Sequence, residues 1–296
     1  LDIWMRIGRS VVLLGMGWWL VLSGMAQTRR VLGVMIAEYP PHSGWSSLHA
    51  DNDWSLLRMS FLRQGFSDIR LCKDKEATYQ GITTALRGLR ESVNPGDTVW
   101  IHFSCHGQQM EDLDGDEPDG LDEALIPYDA QMYYEKGVYE GESHLRDDEL
   151  HTYLTEIRKR LGGRGKLWVS LDACHSASAT RGDEVEGRWI RGTNLIFSAN
   201  LGFMPPDVPG NGYVDTPLEQ KEDWASIIVL SACKSYQDNC ECKVDGRWYG
   251  VLSYSIGKAL DRLPDWAEDT DRFLREVDKR VRRMSPFQTP VFEITK

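Results

Sequence analysis

Two short segments place reactive side chains where an α/β protein does its chemistry. Thr98-Val99-Trp100-Ile101-His102-Phe103 runs into Ser104-Cys105-His106-Gly107, and Lys166-Leu167-Trp168-Val169-Ser170-Leu171 runs into Asp172-Ala173-Cys174-His175-Ser176. In an open α/β sheet, ligands bind beyond the carboxyl ends of the strands. If these strands are neighbours, His106 and Cys174 meet there although they lie far apart in the chain. A Cys thiolate is a nucleophile, and an adjacent imidazole can activate it or protonate a leaving amine. Gly107 lets the backbone approach closely. Its N–H, with that of Cys174, could hold an oxyanion at about 3 kcal/mol per donor in the transition state. His175 is a rival base, but a side chain next to the nucleophile at a strand end points elsewhere, which favours His106. Singly, Cys174 reads as a small buried hydrophobe and His106 as a satisfied surface histidine. Together, each just past an apolar strand and flanked by small residues, they read as a catalytic pair.

Such a pair needs a framework of strands. Apolar or β-rich runs at residues 31–37, 69–72, 98–103, 166–171, 227–230 and 290–294 predict strands. Helical spacing covers 53–64, 79–93, 147–161, 249–260 and 271–284. Apolar strands separated by amphipathic helices predict a mostly parallel sheet covered on both faces, a three-layer α/β/α domain. Residues 108–142, rich in acids and Gly, and 176–225, rich in Gly, Pro and charge, break the rhythm. Long irregular insertions in such a domain are usually functional loops.

The 296-residue chain is 41% hydrophobic and 27% charged with a formal net charge of -11. That describes a globular protein with a sizeable core and argues against a nucleic-acid partner, which would need a basic face. Arg6 and Arg9 precede an apolar stretch and the small residues Gly24 and Ala26. Residues 1–26 therefore read as a secretory signal peptide, with 27–296 as a single domain. The protein is expected to be exported, periplasmic or secreted, without stable membrane insertion once the signal is removed. An uncleaved anchor or a buried N-terminal helix is the other reading. The six cysteines show no zinc-like spacing, and the sequence does not decide which of them pair.

The ordered motifs carry a family resemblance. Phe103-Ser104-Cys105-His106-Gly107, the acidic run Asp112 to Glu123 with Pro127 and Asp129, Leu145-Arg146-Asp147-Asp148-Glu149-Leu150, Asp172-Ala173-Cys174-His175-Ser176, and Leu230-Ser231-Ala232-Cys233 with Gln237, Glu241, Gly250 and Tyr254 together resemble metacaspases and their bacterial orthocaspase branch. The resemblance implies the caspase fold, a six-stranded sheet between helices, with His106 and Cys174 as its dyad. It implies that Asp172 and Glu241 line a primary pocket selecting Arg or Lys before the cleaved bond. It also implies an activating Ca2+ site at Asp122, Asp147 and Asp148, and no organic cofactor. Helix-start acids are equally expected at Asp147 and Asp148 without a metal. The acidic run has EF-hand-like spacing, but Glu117 stands where that loop needs Gly. The family usually has Gly at Cys105 and often at Ala177, so Cys105 either crowds the dyad or adds a second thiol.

The expected activity is cysteine endopeptidase cleavage after Arg or Lys through a Cys174 thioester, with protein or peptide substrates. A catalytically weak or inactive binding module and another thiol-based transfer reaction are the alternatives. The long segment after the nucleophile must border the cleft, and Arg181, Arg188, Arg191 and Lys221 in it are candidate self-cleavage sites. These cations could equally do no more than solvate an acidic loop.

Overall fold

The computed structural model describes residues 27–115, 117–174, 189–206 and 218–295. Its elements, in chain order, are β1 (Arg29–Met35), α1 (Ala50–Arg63), β2 (Asp68–Lys73), α2 (Tyr79–Ser92), β3 (Thr98–Ser104), β4 (Gly107–Glu111), β5 (Leu121–Leu125), β6 (Leu145–Arg146), α3 (Asp147–Leu161), β7 (Lys166–Asp172), β8 (Ser226–Ser231), β9 (Glu241–Val244), β10 (Arg247–Gly250), α4 (Val251–Arg262), α5 (Thr270–Met284) and β11 (Val291–Ile294). Six strands form one sheet in the order β11-β8-β7-β3-β1-β2, parallel except for β11.

Strand alternation explains the three layers. Leu32, Val34, Ile101, Phe103, Leu167 and Val169 point into one core, against Leu86 and Leu89 of α2 and Leu154 and Ile157 of α3. Val31, Met35, Trp100, Trp168, Ile228 and Leu230 point into the other, against Phe61 of α1, Ile256 of α4 and Phe273 of α5. Successive side chains of a strand face opposite ways, so a sheet buried on both faces is apolar throughout. Trp100 and Trp168 stack at 5.1 Å, and Trp266 and Phe273 pack against both.

The insertion at 108–142 is more regular than the sequence suggests. β4, β5 and β6 form a separate antiparallel sheet in which Gly107 pairs with Leu125 and Ala124 with Arg146. β9 and β10 form a second small sheet that sets Glu241 opposite Gly250. Among the described residues no helix is long and apolar enough to cross a membrane. The expected signal peptide lies outside the described residues.

Candidate active site

β3 and β7 are parallel neighbours with Ser104 in register with Asp172. His106 and Cys174 therefore each stand two residues past a register pair, at the same end of adjacent central strands. This is the juxtaposition that the two sequence segments predict. His106 Nε2 lies 3.0 Å from the Ser46 carbonyl, which fixes Nε2–H as the donor. Its Nδ1 is buried with no hydrogen-bond partner among the described residues. The lone pair of Nδ1 is thus the one available for a proton. Burial between Trp45, which stacks on the ring at 4.9 Å, and Tyr39 pushes the imidazole down to about 4, so it is neutral near pH 7. The Cys174 thiol donates to the Gln237 carbonyl at 3.0 Å, and Cys233 donates to the same oxygen at 3.1 Å. No disulfide joins the six cysteines. Cys105 is a core thiol pushed up to about 12 by burial, not a second reactive group.

A wholly buried acidic pocket opens beside the nucleophile. Asp172 Oδ1 accepts from Asn239 at 2.7 Å, and Oδ2 accepts from the Ser253 N–H at 2.8 Å and from its hydroxyl. Ser253 is held in turn by His102, whose other nitrogen meets Ser170 at 2.6 Å. Glu241 accepts from the His49 N–H at 2.9 Å and pairs with the His49 ring. Asp53, at the start of α1, completes the pocket: Gly250 N–H donates to Oδ1 at 2.9 Å and the Ser104 hydroxyl to Oδ2 at 2.9 Å. Asp53 is the functional residue that the sequence reading misses. An acid in the first turn of a helix is expected for dipole reasons alone. Asp53 lies one position before the apolar stripe of α1, and nothing in that position signals that it is fully buried.

Arg191 fills this pocket. Its Nη2 reaches Asp53 at 2.7 Å and Glu241 at 2.8 Å, and Nη1 reaches the Ser104 hydroxyl at 2.6 Å and Asp172 Oδ2 at 3.7 Å. Burial opposes the charge on Arg191, yet Asp53, Asp172 and Glu241 outweigh it and raise the guanidinium further. Burial likewise opposes Glu241, but Arg191 and His49 hold it below the ordinary carboxylate range. Asp53 bears the excess of negative charge and is pushed up to about 7 by burial and by Asp172 and Glu241, against the pull of Arg191. The expectation that the cations of this segment merely solvate a loop fails for Arg191, whose side chain is 0% exposed. Lys221 does sit on the surface, paired with Glu219 at 2.9 Å and over the Trp224 ring. Arg181, Arg188 and the rival base His175 lie outside the described residues.

The calcium residues are near one another but not arranged as ligands. Asp122 is paired with Arg146, and Asp147 and Asp148 begin α3. Burial and neighbouring acids push Asp122 up to about 6, Asp147 to about 7 and Glu123 to about 8. No three His, Cys, Asp or Glu side chains among the described residues converge as a metal site. In the EF-hand-like run, Asp112 is turned onto the amides of Asp114, Gly115 and Glu117 rather than toward a shared centre.

A six-stranded sheet covered by helices, with His and Cys ending its central strands beside an acidic pocket, defines the caspase-like class. The family model described as metacaspase, peptidase C14 domain, matches residues 52–181. Metacaspase-1 of Schizosaccharomyces pombe is 30% identical over 213 residues, covering 63% of this chain and 47% of that protein. Metacaspase-1 of Mycosarcoma maydis is 27% identical over 238 residues, covering 69% of this chain and 56% of its own length. The chain spans about half the length of the curated relatives it matches. A crystal structure of a Geobacter sulfurreducens protein shares the fold at TM-score 0.57 and 22% identity, covering 90% of this chain and 93% of that one. The chain is similar to metacaspases across these matched stretches.

Proposed function

We propose that this protein is a cysteine endopeptidase that cleaves after Arg or Lys and can process itself in the segment following Cys174. The observation that carries the reading is the pocket beside the Cys174 N–H, where Asp53, Asp172 and Glu241 surround one guanidinium. Buried carboxylates are costly unless a cation meets them, and a guanidinium can bond several at once. A substrate carbonyl seated at the Cys174 N–H would be attacked by the thiol once it turns from Gln237. His106 Nδ1 would take the thiol proton and return it to the leaving amine. The N–H groups of Cys174 and Gly107 would hold the oxyanion. Water would then hydrolyse the thioester and regenerate the thiol.

Calcium activation enters with a condition of its own: Asp122 must first release Arg146 before it, Asp147 and Asp148 could share an ion. Export belongs to the same proposal and rests on residues 1–26. The test is a panel of fluorogenic peptides ending in Arg, Lys, Asp or Asn, assayed with and without calcium. Arg and Lys peptides are expected to be cut, with activity lost in Cys174→Ala and nearly lost in His106→Ala, because residues acting as a unit are not additive. Preference for Asp would refute the pocket assignment, and absence of any turnover would favour the binding-module reading.

A further inference from the structure

One face of the central sheet carries a polar track through its apolar core. β3 and β7 run side by side with Trp100 opposite Trp168, His102 opposite Ser170 and Ser104 opposite Asp172. Alternate residues of a strand share a face, so these pairs form two rows that climb toward the active-site end. Trp100, His102, Ser170 and Asp172, with Ser253 of α4 above them, are all 0% exposed. A histidine is seldom buried completely, and a Leu here would fill the face without any polar group to satisfy. Sequences break the apolar rule of a core chiefly at functional sites.

The contacts along the track fix where each proton sits. The Ser253 hydroxyl donates to Asp172 Oδ2 at 2.5 Å, which uses its only proton. Its oxygen therefore accepts from His102 Nε2, 3.0 Å away. Burial pushes this imidazole down to about 4, so near pH 7 it holds one proton, on Nε2, and Nδ1 is bare. Ser170 Oγ, 2.6 Å from Nδ1, donates to it and accepts in turn from the Trp100 indole N–H at 2.8 Å. An indole nitrogen only donates, so the order cannot be reversed. The donors thus all point one way, from Trp100 through Ser170, His102 and Ser253 to Asp172. Bonds in such a chain polarise one another, which strengthens the last of them.

We propose that Trp100, Ser170, His102 and Ser253 are positioning residues: their relay aims Asp172 Oδ2 at the basic side chain of a substrate and favours Arg over Lys. This rests on the peptidase reading above and deepens it. With Asn239 on Oδ1 at 2.7 Å, and the Ser253 N–H at 2.8 Å and hydroxyl on Oδ2, the carboxylate plane is set. The seated Arg191 illustrates what that plane serves. Its Nη1 lies 2.6 Å from the Ser104 hydroxyl and 3.7 Å from Oδ2, while Nη2 spans Asp53 and Glu241. A planar guanidinium needs acceptors in fixed directions, whereas an ammonium rotates its three donors onto whatever is near. A carboxylate that loses its aim therefore costs an Arg substrate more than a Lys substrate.

The experiment compares kcat/KM of the full chain for an Arg and a Lys coumarin peptide of otherwise identical sequence. Their ratio cancels any loss of folded protein and any competition from Arg191, which lower both values alike. Ser253→Ala is expected to lower the Arg-to-Lys ratio about tenfold, and Ser170→Ala about threefold. The double variant should lose no more than Ser253→Ala alone, because a relay cut at its last link is indifferent to cuts upstream. Losses that multiply would mean independent packing effects and would overturn the relay. In Cys174→Ala carrying isotope-labelled histidine, nitrogen NMR near pH 7 should find His102 as the Nε2–H tautomer. An Nδ1–H tautomer would break the donor order and overturn the relay as well. An enzyme whose Arg preference survives Ser253→Ala overturns this proposal and spares the peptidase reading. A chain that cuts neither peptide overturns that reading, and the selection role falls with it.

Discussion

Gly250 donates its N–H to Asp53 at 2.9 Å, and a Cβ there would lie 2.1 Å from Asp172 Oδ2 and 2.7 Å from the Arg191 Cζ. Neither neighbour can move away cheaply. Asp172 is tied to Asn239 and Ser253, and Arg191 to three carboxylates. A methyl at this position must therefore displace a pocket carboxylate. Misplacing a positioning group by about 1 Å can cost about 100-fold, and that is the loss in kcat/KM expected for Gly250→Ala on Arg peptides. The comparison is Gly88→Ala in α2, where nothing lies within 4 Å of the added carbon. That change should leave kcat/KM alone and raise stability by about 0.5–1 kcal/mol, since Gly weakens a helix interior. Equal activity of the two variants would contradict the account of the pocket.

The elements were legible in the sequence to the degree that their periodicity was local. Residues 147–161 match α3 at both ends, because acids start the helix, basic residues close it and Gly162 ends it with φ 65°. The strands β3 and β7 were equally plain, and with them the dyad. No apolar run announces the β9–β10 hairpin, although Asp245-Gly246, both at positive φ, marks a two-residue turn between β-rich flanks. β4 and β5 were hidden by acids that interrupt their alternation. The pocket was half legible: Asp172 and Glu241 followed from the motifs, whereas Asp53 and Arg191 depend on long-range contacts no periodicity reports. α3 also has a function that its sequence conceals. Arg158, buried in its last turn, donates to the carbonyls of Ala225 at 2.9 Å and Glu219 at 2.8 Å and to the Gln220 side chain at 2.6 Å. It clamps the stretch that leads into β8. Arg158→Ala should cost about 2–3 kcal/mol through stranded buried acceptors. It should also make Lys221, in the released stretch, the earliest trypsin site. Unchanged trypsin cleavage in a destabilised variant would mean that Arg158 serves packing and not the clamp.

Over the whole molecule, acid should act through histidines that the fold keeps neutral. Burial pushes His102 and His106 down to about 4 and His144 down to about 3. His144 is the cleanest to follow, because it lies outside the dyad and the acidic pocket. The Tyr139 hydroxyl meets its Nδ1 at 2.8 Å, and its Nε2 meets Gln108 Oε1 at 3.0 Å. One proton on Nε2 satisfies both contacts, and a second would have to displace the tyrosine hydroxyl proton. In the unfolded chain a histidine titrates near about 6.5. The unfolded state thus binds the extra proton first, so the contribution of His144 to stability is complete above that value and is lost as pH falls toward its folded value. Carboxylates work the other way: Glu123 and Asp147, pushed up to about 8 and about 7, hold protons in the folded chain and favour it at lower pH. The total pH curve blends both signs, so the informative quantity is a difference. Unfolding free energies of Cys174→Ala, which lacks the thiol, should be compared with Cys174→Ala/His144→Gln from pH 8 to pH 4. Above about pH 6.5 the two curves should run parallel. Below it the histidine protein should lose about 3 kcal/mol relative to the glutamine variant by pH 4. Curves that stay parallel throughout would mean that His144 accepts its proton in the folded state, and that its Tyr139–Gln108 setting does not exclude the charged form.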